Sequence, residues 1–162
     1  MTTGVKLGQR APLAMLAELI DGEIKSVSTD SLFAGRRAVV IGVPGAYTPI
    51  CTKTHLPEFI AAADEMRRAG FSLVACIVTS DPFATAHWAR EMDPAGKVRF
   101  LSDGNLDFAR AANLVSLERD LFLGERSARY LMVLESAIVQ RITVERSVLD
   151  VSCTRAKDVF LD

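Results

Sequence analysis

The chain has 162 residues, of which 49% are hydrophobic and 24% charged, a composition typical of one globular domain over residues 1–162. Its 19 Lys and Arg against 20 Asp and Glu leave a net charge of −1, which gives no general positive field for nucleic acid or anionic membranes. No apolar run approaches the ~18 residues of a membrane helix, and residues 1–16 lack a secretory signal pattern. We therefore expect a cytoplasmic protein with neither nucleic acid nor membrane as partner.

Apolar patterning predicts strands and helices that alternate along most of the chain. Residues 16–28 predict two short strands around an Asp21-Gly22 turn, which begins the chain with a β-hairpin. Pro57 lies inside one predicted helix and is expected to kink it. The strands predicted after the hairpin are 38–43, 71–78, 98–101, 129–134 and 137–145, and the helices are 52–69, 81–92, 105–114 and 155–161.

This order predicts an α/β protein with a thioredoxin-like fold. Alternating strands and helices indicate a central sheet with helices on its faces. The last two strands follow each other without a helix, so the sheet is expected to be mixed, with an antiparallel side. The N-terminal β-hairpin is expected as an addition to this sheet.

Cys51 lies in the segment GVPGAYTPICTKTH, residues 42–55, between a strand and a helix expected to begin near Pro49 or Ile50. The free N–H groups of a first helical turn favour a negative charge on the sulfur, typically by ~0.3–1 kcal/mol and at most ~2. Full ionisation of an ordinary thiol at neutral pH needs ~3 kcal/mol. A second positive group is therefore expected, either His55 or a distant arginine. The alternative is an inert, buried thiol.

The other cysteines and the histidines limit the chemistry further. Three cysteines, an odd and low number, argue against a disulfide scaffold. The residues after Cys51 do not form a Cys-x-x-Cys motif, so a second thiol would have to come from Cys76, Cys153 or another molecule. With His55 and His87 as the only histidines, we expect no metal site.

The segment PGAYTPICTKTHLPEF, residues 44–59, resembles the active-site motif of peroxiredoxins. It is most similar to the peroxiredoxin-5 subfamily, the type II or atypical two-cysteine proteins, with Tyr47 in place of Phe and Thr52 in place of Ser. The similarity continues through residues 29–45, 75–90 and 124–133. The matching motif positions are Pro44, Gly45, Ala46, Thr48, Pro49, Cys51, His55 and Pro57.

The resemblance implies a thiol peroxidase that reduces hydrogen peroxide and small organic hydroperoxides without metal, haem or flavin. Cys51 would be the thiolate that attacks the peroxide and becomes a sulfenic acid. Thr48 would hydrogen-bond the peroxide and the thiolate, and Pro44 would shield the sulfur. The family's arginine corresponds to Arg129, with Arg126 as the second candidate and His55 as an orienting residue.

The resemblance leaves the regeneration of the thiol open. Cys153 is the first candidate for a resolving cysteine and Cys76 the second, and the alternative is an external thiol. Thioredoxin, or glutathione with glutaredoxin, is the expected reductant, and a homodimer is expected. Two alternative functions fit the same residues: a peroxide-sensing redox relay, and a thioredoxin-fold binding module without turnover.

Overall fold

The computed structural model describes residues 4–160 of the chain. Among these residues no helix is long and apolar enough to cross a membrane. The helices are α1 Thr29–Phe33, α2 Leu56–Arg68, α3 Pro82–Met92 and α4 Asp107–Ala111, with a π-helical turn at Cys51–His55 and 3₁₀ turns at Arg119–Leu121 and Ala156–Phe160. The strands are β1 Met15–Ile20, β2 Glu23–Ser28, β3 Arg37–Val43, β4 Leu73–Val78, β5 Arg99–Ser102, β6 Val115–Glu118, β7 Gly124–Ser127, β8 Tyr130–Glu135 and β9 Ile138–Val144.

Seven strands form one sheet in the order β2-β1-β5-β4-β3-β8-β9, and β6 and β7 form a separate hairpin. The central strands β3, β4 and β5 are parallel, whereas β8 pairs antiparallel with β3, and β1 antiparallel with β5. The predicted mixed sheet and its N-terminal hairpin are confirmed. Antiparallel strands lie at both edges, because the hairpin joins the side opposite to β8 and β9.

Apolar side chains cover both faces of this sheet. One cluster packs Leu32 and Phe33 of α1 and Phe108 of α4 against one face. The other packs Phe59 and Met66 of α2 against the opposite face, where Cys51 also lies. Strand β4 is buried along its whole length and β3 along all but its first residue, as their continuous apolar sequences predict.

Gly42 and Tyr130 bring the start of β8 against the end of β3. The two residues are partners in the antiparallel pairing, and the tyrosine ring lies directly over the glycine. A Cβ atom at position 42 would be 1.8 Å from the ring, so only glycine fits there without a shift. Arg129 precedes Tyr130 and therefore lies beside the point where the chain leaves β3 for the Cys51 segment.

The structure differs from the predictions in short elements. Helix α1 and the β6–β7 hairpin were not predicted, because elements of four or five residues carry too little periodicity to stand out. The helix predicted over 105–114 is only the five residues of α4. The helix predicted over 155–161 is a 3₁₀ turn within the described range, and Leu161 lies outside that range.

The long predicted helix also begins differently. Pro57 has no N–H, and its ring would clash with the carbonyl four residues earlier in a regular α-helix. The chain instead forms the π-helical turn immediately before α2, where the N–H of Leu56 donates to the carbonyl of Cys51. The irregularity expected at Pro57 is thus displaced into the turn that carries Cys51 and His55.

Candidate active site

Cys51 lies in the first turn of the helical segment that follows β3. Helical geometry begins at Pro49, as predicted, and the N–H of Thr52 donates to the carbonyl of Thr48 at 3.0 Å. The Cys51 side chain is fully buried. Its sulfur therefore combines the electrostatic field of a helix N-terminus with shielding from bulk water.

The guanidinium of Arg129 contacts this sulfur directly. Its Nη2 donates to Cys51 Sγ at 3.2 Å and to the carbonyl of Val148 at 2.8 Å. Its Nε donates to the same carbonyl at 3.1 Å, and its Nη1 hydrogen-bonds to Nδ1 of His55 at 2.9 Å. Arg129 is only 1% exposed, so these contacts replace water around a buried positive charge.

The partners of Arg129 give the Cys51 sulfur a special electrostatic role. Within residues 4–160, no carboxylate oxygen lies within 4.0 Å of the guanidinium to form an ion pair. The carbonyl of Val148 is neutral, and so is the His55 ring. Of the recorded partners, the sulfur is the group that can carry a compensating negative charge.

His55 orients Arg129 and does not itself carry a positive charge. The second positive group expected near Cys51 is therefore the arginine, not this histidine. Its Nε2 lies 2.8 Å from the carbonyl of Thr154, which can only accept, so Nε2 carries the proton and Nδ1 accepts from Arg129. Burial, with the nearby charge of Arg129, lowers the pKa of His55 to about 4. The ring is therefore neutral at physiological pH.

Arg126 lies behind the active-site loop. Its Nη1 donates to the carbonyl of Pro44 at 3.2 Å and to that of Thr79 at 3.1 Å, while its Nε donates to Leu123. None of its recorded hydrogen bonds reaches the Cys51 sulfur. The structure thus places Arg129 on the sulfur, and Arg126 on the backbone that carries Pro44.

A pocket of about 260 Å³ opens in front of Arg129. Thr48 lines it, and its hydroxyl donates to the carbonyl of Gly45 at 2.9 Å. A larger groove, of about 720 Å³, lies between β1, β5 and α3, and among the described residues its lining includes neither Thr48 nor Arg129. The smaller pocket is the candidate site because Arg129, whose guanidinium contacts the buried Cys51 sulfur, lines it. Its other lining residues are Pro44, Pro49, Ile50, Leu121, Leu123, Val148 and Leu149.

The two remaining cysteines differ in burial and in the segment that carries them. Cys76 is fully buried in β4, and burial raises the pKa of its thiol well above the usual value. Cys153 is partly exposed and lies in the loop after β9, with its sulfur 3.7 Å from the carbonyl of Val144. All three cysteines are free thiols in this structure.

The sequence did not point to three residues that surround Arg129. Val148 and Thr154 contribute through backbone carbonyls, which any residue type could supply. Glu145 accepts hydrogen bonds from the loop that contains both of them. The one available signal was an acidic residue at the end of an apolar strand, and that pattern is too common to single it out.

Comparison with known protein families matches residues 6–157 to Redoxin. The chain belongs to the redoxin family. It is a homologue of peroxiredoxins, as the resemblance of its motif implied. It is 37% identical to the chloroplastic peroxiredoxin-2E-2 of Oryza sativa over 149 residues, which cover 87% of this chain and 65% of the relative. It is 32% identical to peroxiredoxin-2D of Arabidopsis thaliana over 123 residues, which cover 76% of each.

Solved structures of redoxins share the architecture of this chain. Reduced Prx3 from Vibrio vulnificus, crystallised in complex with hydrogen peroxide, superposes with a TM-score of 0.90 at 30% identity and covers 96% of both chains. The predicted thioredoxin-like fold is confirmed by this likeness. The chain spans slightly less than two thirds of the length of its two chloroplastic plant relatives.

The buried neutral His55 predicts an acid-dependent loss of stability. The unfolded chain takes up a proton on this histidine below its ordinary pKa of 6.5, whereas the folded protein does so only near pH 4. The free energy of unfolding therefore falls as the pH decreases through this window, by about 3 kcal/mol in total. His55→Gln keeps one donor and one acceptor but cannot titrate in this range.

Urea unfolding between pH 7 and pH 4, followed by the fluorescence of the single tryptophan, Trp88, measures this effect. Over this range we expect the free energy of unfolding of the parent to fall by about 3 kcal/mol more than that of His55→Gln. Parallel pH profiles of the two proteins would show that His55 is not held neutral.

Proposed function

We propose that this redoxin is a thiol peroxidase of the peroxiredoxin-5 type, with Cys51 as the reacting residue. The hydrogen bond between Arg129 Nη2 and Cys51 Sγ carries the proposal, because it pairs a buried cation with a thiol at a helix N-terminus. The Cys51 thiolate attacks one oxygen of a hydroperoxide, and the O–O bond breaks. With one proton from solvent, the products are the Cys51 sulfenic acid and water or an alcohol.

The same groups stabilise the transition state, in which charge moves from sulfur to the leaving oxygen. A guanidinium has five N–H donors, and the recorded hydrogen bonds of Arg129 engage four. The fifth N–H, on Nη1, donates a hydrogen bond to an oxygen of the peroxide. The Thr48 hydroxyl already donates to Gly45, so it accepts the proton of the peroxide. Preorganised donors of this kind typically contribute about 10²–10³ in rate each.

The size and apolar lining of the pocket in front of Arg129 support the proposal that hydrogen peroxide and small alkyl hydroperoxides are the substrates. Its walls are largely apolar and include Ile50, Leu121 and Leu149. A volume of about 260 Å³ accommodates a short alkyl group. The hydroperoxide end then lies against Thr48 and Arg129, the polar groups of the lining.

The position of Cys153 supports it as the resolving thiol. Thioredoxin, or glutathione with glutaredoxin, then reduces the oxidised enzyme. Cys153 is partly exposed in a loop, whereas Cys76 is fixed in the core. Phe122, which is 97% exposed beside the pocket residues Leu121 and Leu123, supports a homodimer through this apolar edge. The low number of cysteines, which is typical of a reducing compartment, supports a cytoplasmic location.

Consumption of hydrogen peroxide with a thiol reductant tests the proposal. We expect multiple turnovers by the parent and none by Cys51→Ser, because serine cannot form the sulfenic acid. A redox relay would oxidise once at Cys51 and stall without its partner. A binding module would leave both peroxide and Cys51 unchanged, and either result would refute the peroxidase.

The role of Cys153 is tested in the same assay with each reductant. We expect Cys153→Ser to form the Cys51 sulfenic acid at the parent rate but to lose turnover with thioredoxin, because no internal disulfide forms. Mass spectrometry of peroxide-treated parent is expected to show a Cys51–Cys153 disulfide. Equal turnover of parent and variant with thioredoxin would exclude Cys153 as the resolving thiol.

A further inference from the structure

The loop of residues 146–154, between β9 and the last 3₁₀ turn, supplies most of the backbone that surrounds Arg129. The carbonyl of Val148 accepts from both Nε and Nη2 of the guanidinium. The carbonyl of Thr154 accepts from His55, which in turn accepts from Nη1. Leu149 forms part of the pocket wall. The position of Arg129 therefore depends on the conformation of the 146–154 loop.

Glu145 closes this loop at its base. Its Oε2 accepts from the backbone N–H groups of Ser152, Cys153 and Thr154 at 2.8, 2.9 and 3.0 Å. The hydroxyls of Thr154 and Ser152 donate to the same carboxylate at 2.6 and 2.7 Å. The N–H of Glu145 itself donates to the carbonyl of Arg129 at 2.9 Å. Glu145 thus connects the end of the loop, through its side chain, to the residue that contacts Cys51, through its backbone N–H.

Glu145 makes these contacts as an ionised carboxylate. Burial opposes its ionisation, but the hydrogen bonds from Thr154, Ser152 and Cys153 outweigh burial and lower its pKa to about 2. The side chain is only 6% exposed, so these protein donors replace water around the carboxylate. Hydrogen bonds to an ionised acceptor are roughly twice as strong as those between neutral groups. A glutamine here could keep its amide oxygen on the three N–H groups, but that oxygen would be a neutral acceptor, and the amide NH₂ would replace the oxygen that accepts from the Ser152 hydroxyl.

We propose that Glu145 is a positioning residue for the oxidation of Cys51: its carboxylate holds the 146–154 loop closed, and the closed loop holds Arg129 on the sulfur. Glu145 touches neither the peroxide nor the reacting sulfur. It acts through the Thr154 carbonyl and His55, and through the Val148 carbonyl. This inference rests on the proposed peroxidase function.

The same contacts keep Cys153 protonated and fixed in place while the loop is closed. Its N–H is engaged by Glu145, and burial together with the charge of this carboxylate raises the pKa of the Cys153 thiol, which stays protonated. A movement of Cys153 toward Cys51 breaks this bond and pulls on the neighbouring Thr154 carbonyl that orients His55. The closed loop therefore serves the peroxide step. The open loop serves the next step, in which the sulfenic acid and the Cys153 thiol form a disulfide and water.

Glu145→Gln tests the proposal by stopped-flow measurement of Cys51 oxidation with hydrogen peroxide. Both proteins carry Cys153→Ser, so that only the first oxidation is observed. We expect a second-order rate constant at least about tenfold lower, because a small displacement of Arg129 weakens its contact with the sulfur. Glu58→Gln is the matched control. Glu58 holds Arg155 and Ala156 next to the loop but bonds none of residues 146–154, and its rate constant should equal the parent's.

A double-mutant cycle with Arg129→Lys separates positioning from general loosening. If Glu145 acts through the guanidinium, adding Glu145→Gln to Arg129→Lys lowers the rate constant of Cys51 oxidation little beyond the decrease caused by Arg129→Lys alone. Full additivity of the two losses would overturn the proposal, as would a parent-like rate for Glu145→Gln. Should Glu145→Gln not fold, Thr154→Val removes one of the hydroxyl bonds and is expected to cause a smaller loss of the same kind.

The alkylation rate of Cys153 by iodoacetamide, followed by peptide mass spectrometry, gives a second readout. It should rise in Glu145→Gln, made here with Cys153 intact, and stay at the parent value in Glu58→Gln. An unchanged rate in Glu145→Gln would show that the loop is not held by this carboxylate. If peroxide does not oxidise Cys51 in the parent, the proposed function fails and the inference with it. If the parent reacts and Glu145→Gln reacts equally fast, only the inference fails.

Discussion

The buried guanidinium of Arg129 is the group around which the candidate active site is built. Removing a positive charge from water costs several kcal/mol, so the contacts of the guanidinium must offset this desolvation free energy. The protein meets it with two backbone bonds, a neutral histidine nitrogen and the sulfur of Cys51. Of these partners, the sulfur is the one that can carry a negative charge. The energetic requirement of the arginine and the chemical requirement of the thiol are thus met by one contact.

The fold brings together residues that lie far apart in the chain. Cys51 and His55, at positions i and i+4, lie on one side of the same helical turn, and both contact Arg129. The close packing of Tyr130 on Gly42 holds Arg129 beside the end of β3. The 146–154 loop covers the arginine from the other side. All three segments therefore contribute to the position of the guanidinium against the sulfur.

The local features of the site could be predicted from the sequence, and the long-range contacts could not. An apolar strand followed by two prolines and a cysteine indicated a thiol at a helix N-terminus, since that pattern is contained in one segment. The choice between Arg126 and Arg129 required the structure, because both lie near the same strand. The protonated nitrogen of His55 depends on the Thr154 carbonyl 99 residues away. The five hydrogen bonds to Glu145 leave no sequence signature either.

The rate of Cys51 oxidation in Arg129→Lys, with Arg126→Lys as the matched control, tests the central claim most directly. A lysine keeps the positive charge but not the fork of donors that reaches the sulfur, His55 and Val148 together. We predict that Arg129→Lys reacts with hydrogen peroxide at least about 100-fold more slowly than the parent. Arg126→Lys should stay within a few-fold of the parent. A parent-like rate in folded Arg129→Lys, or an equal loss in both variants, would contradict the assignment of Arg129 to the reacting sulfur.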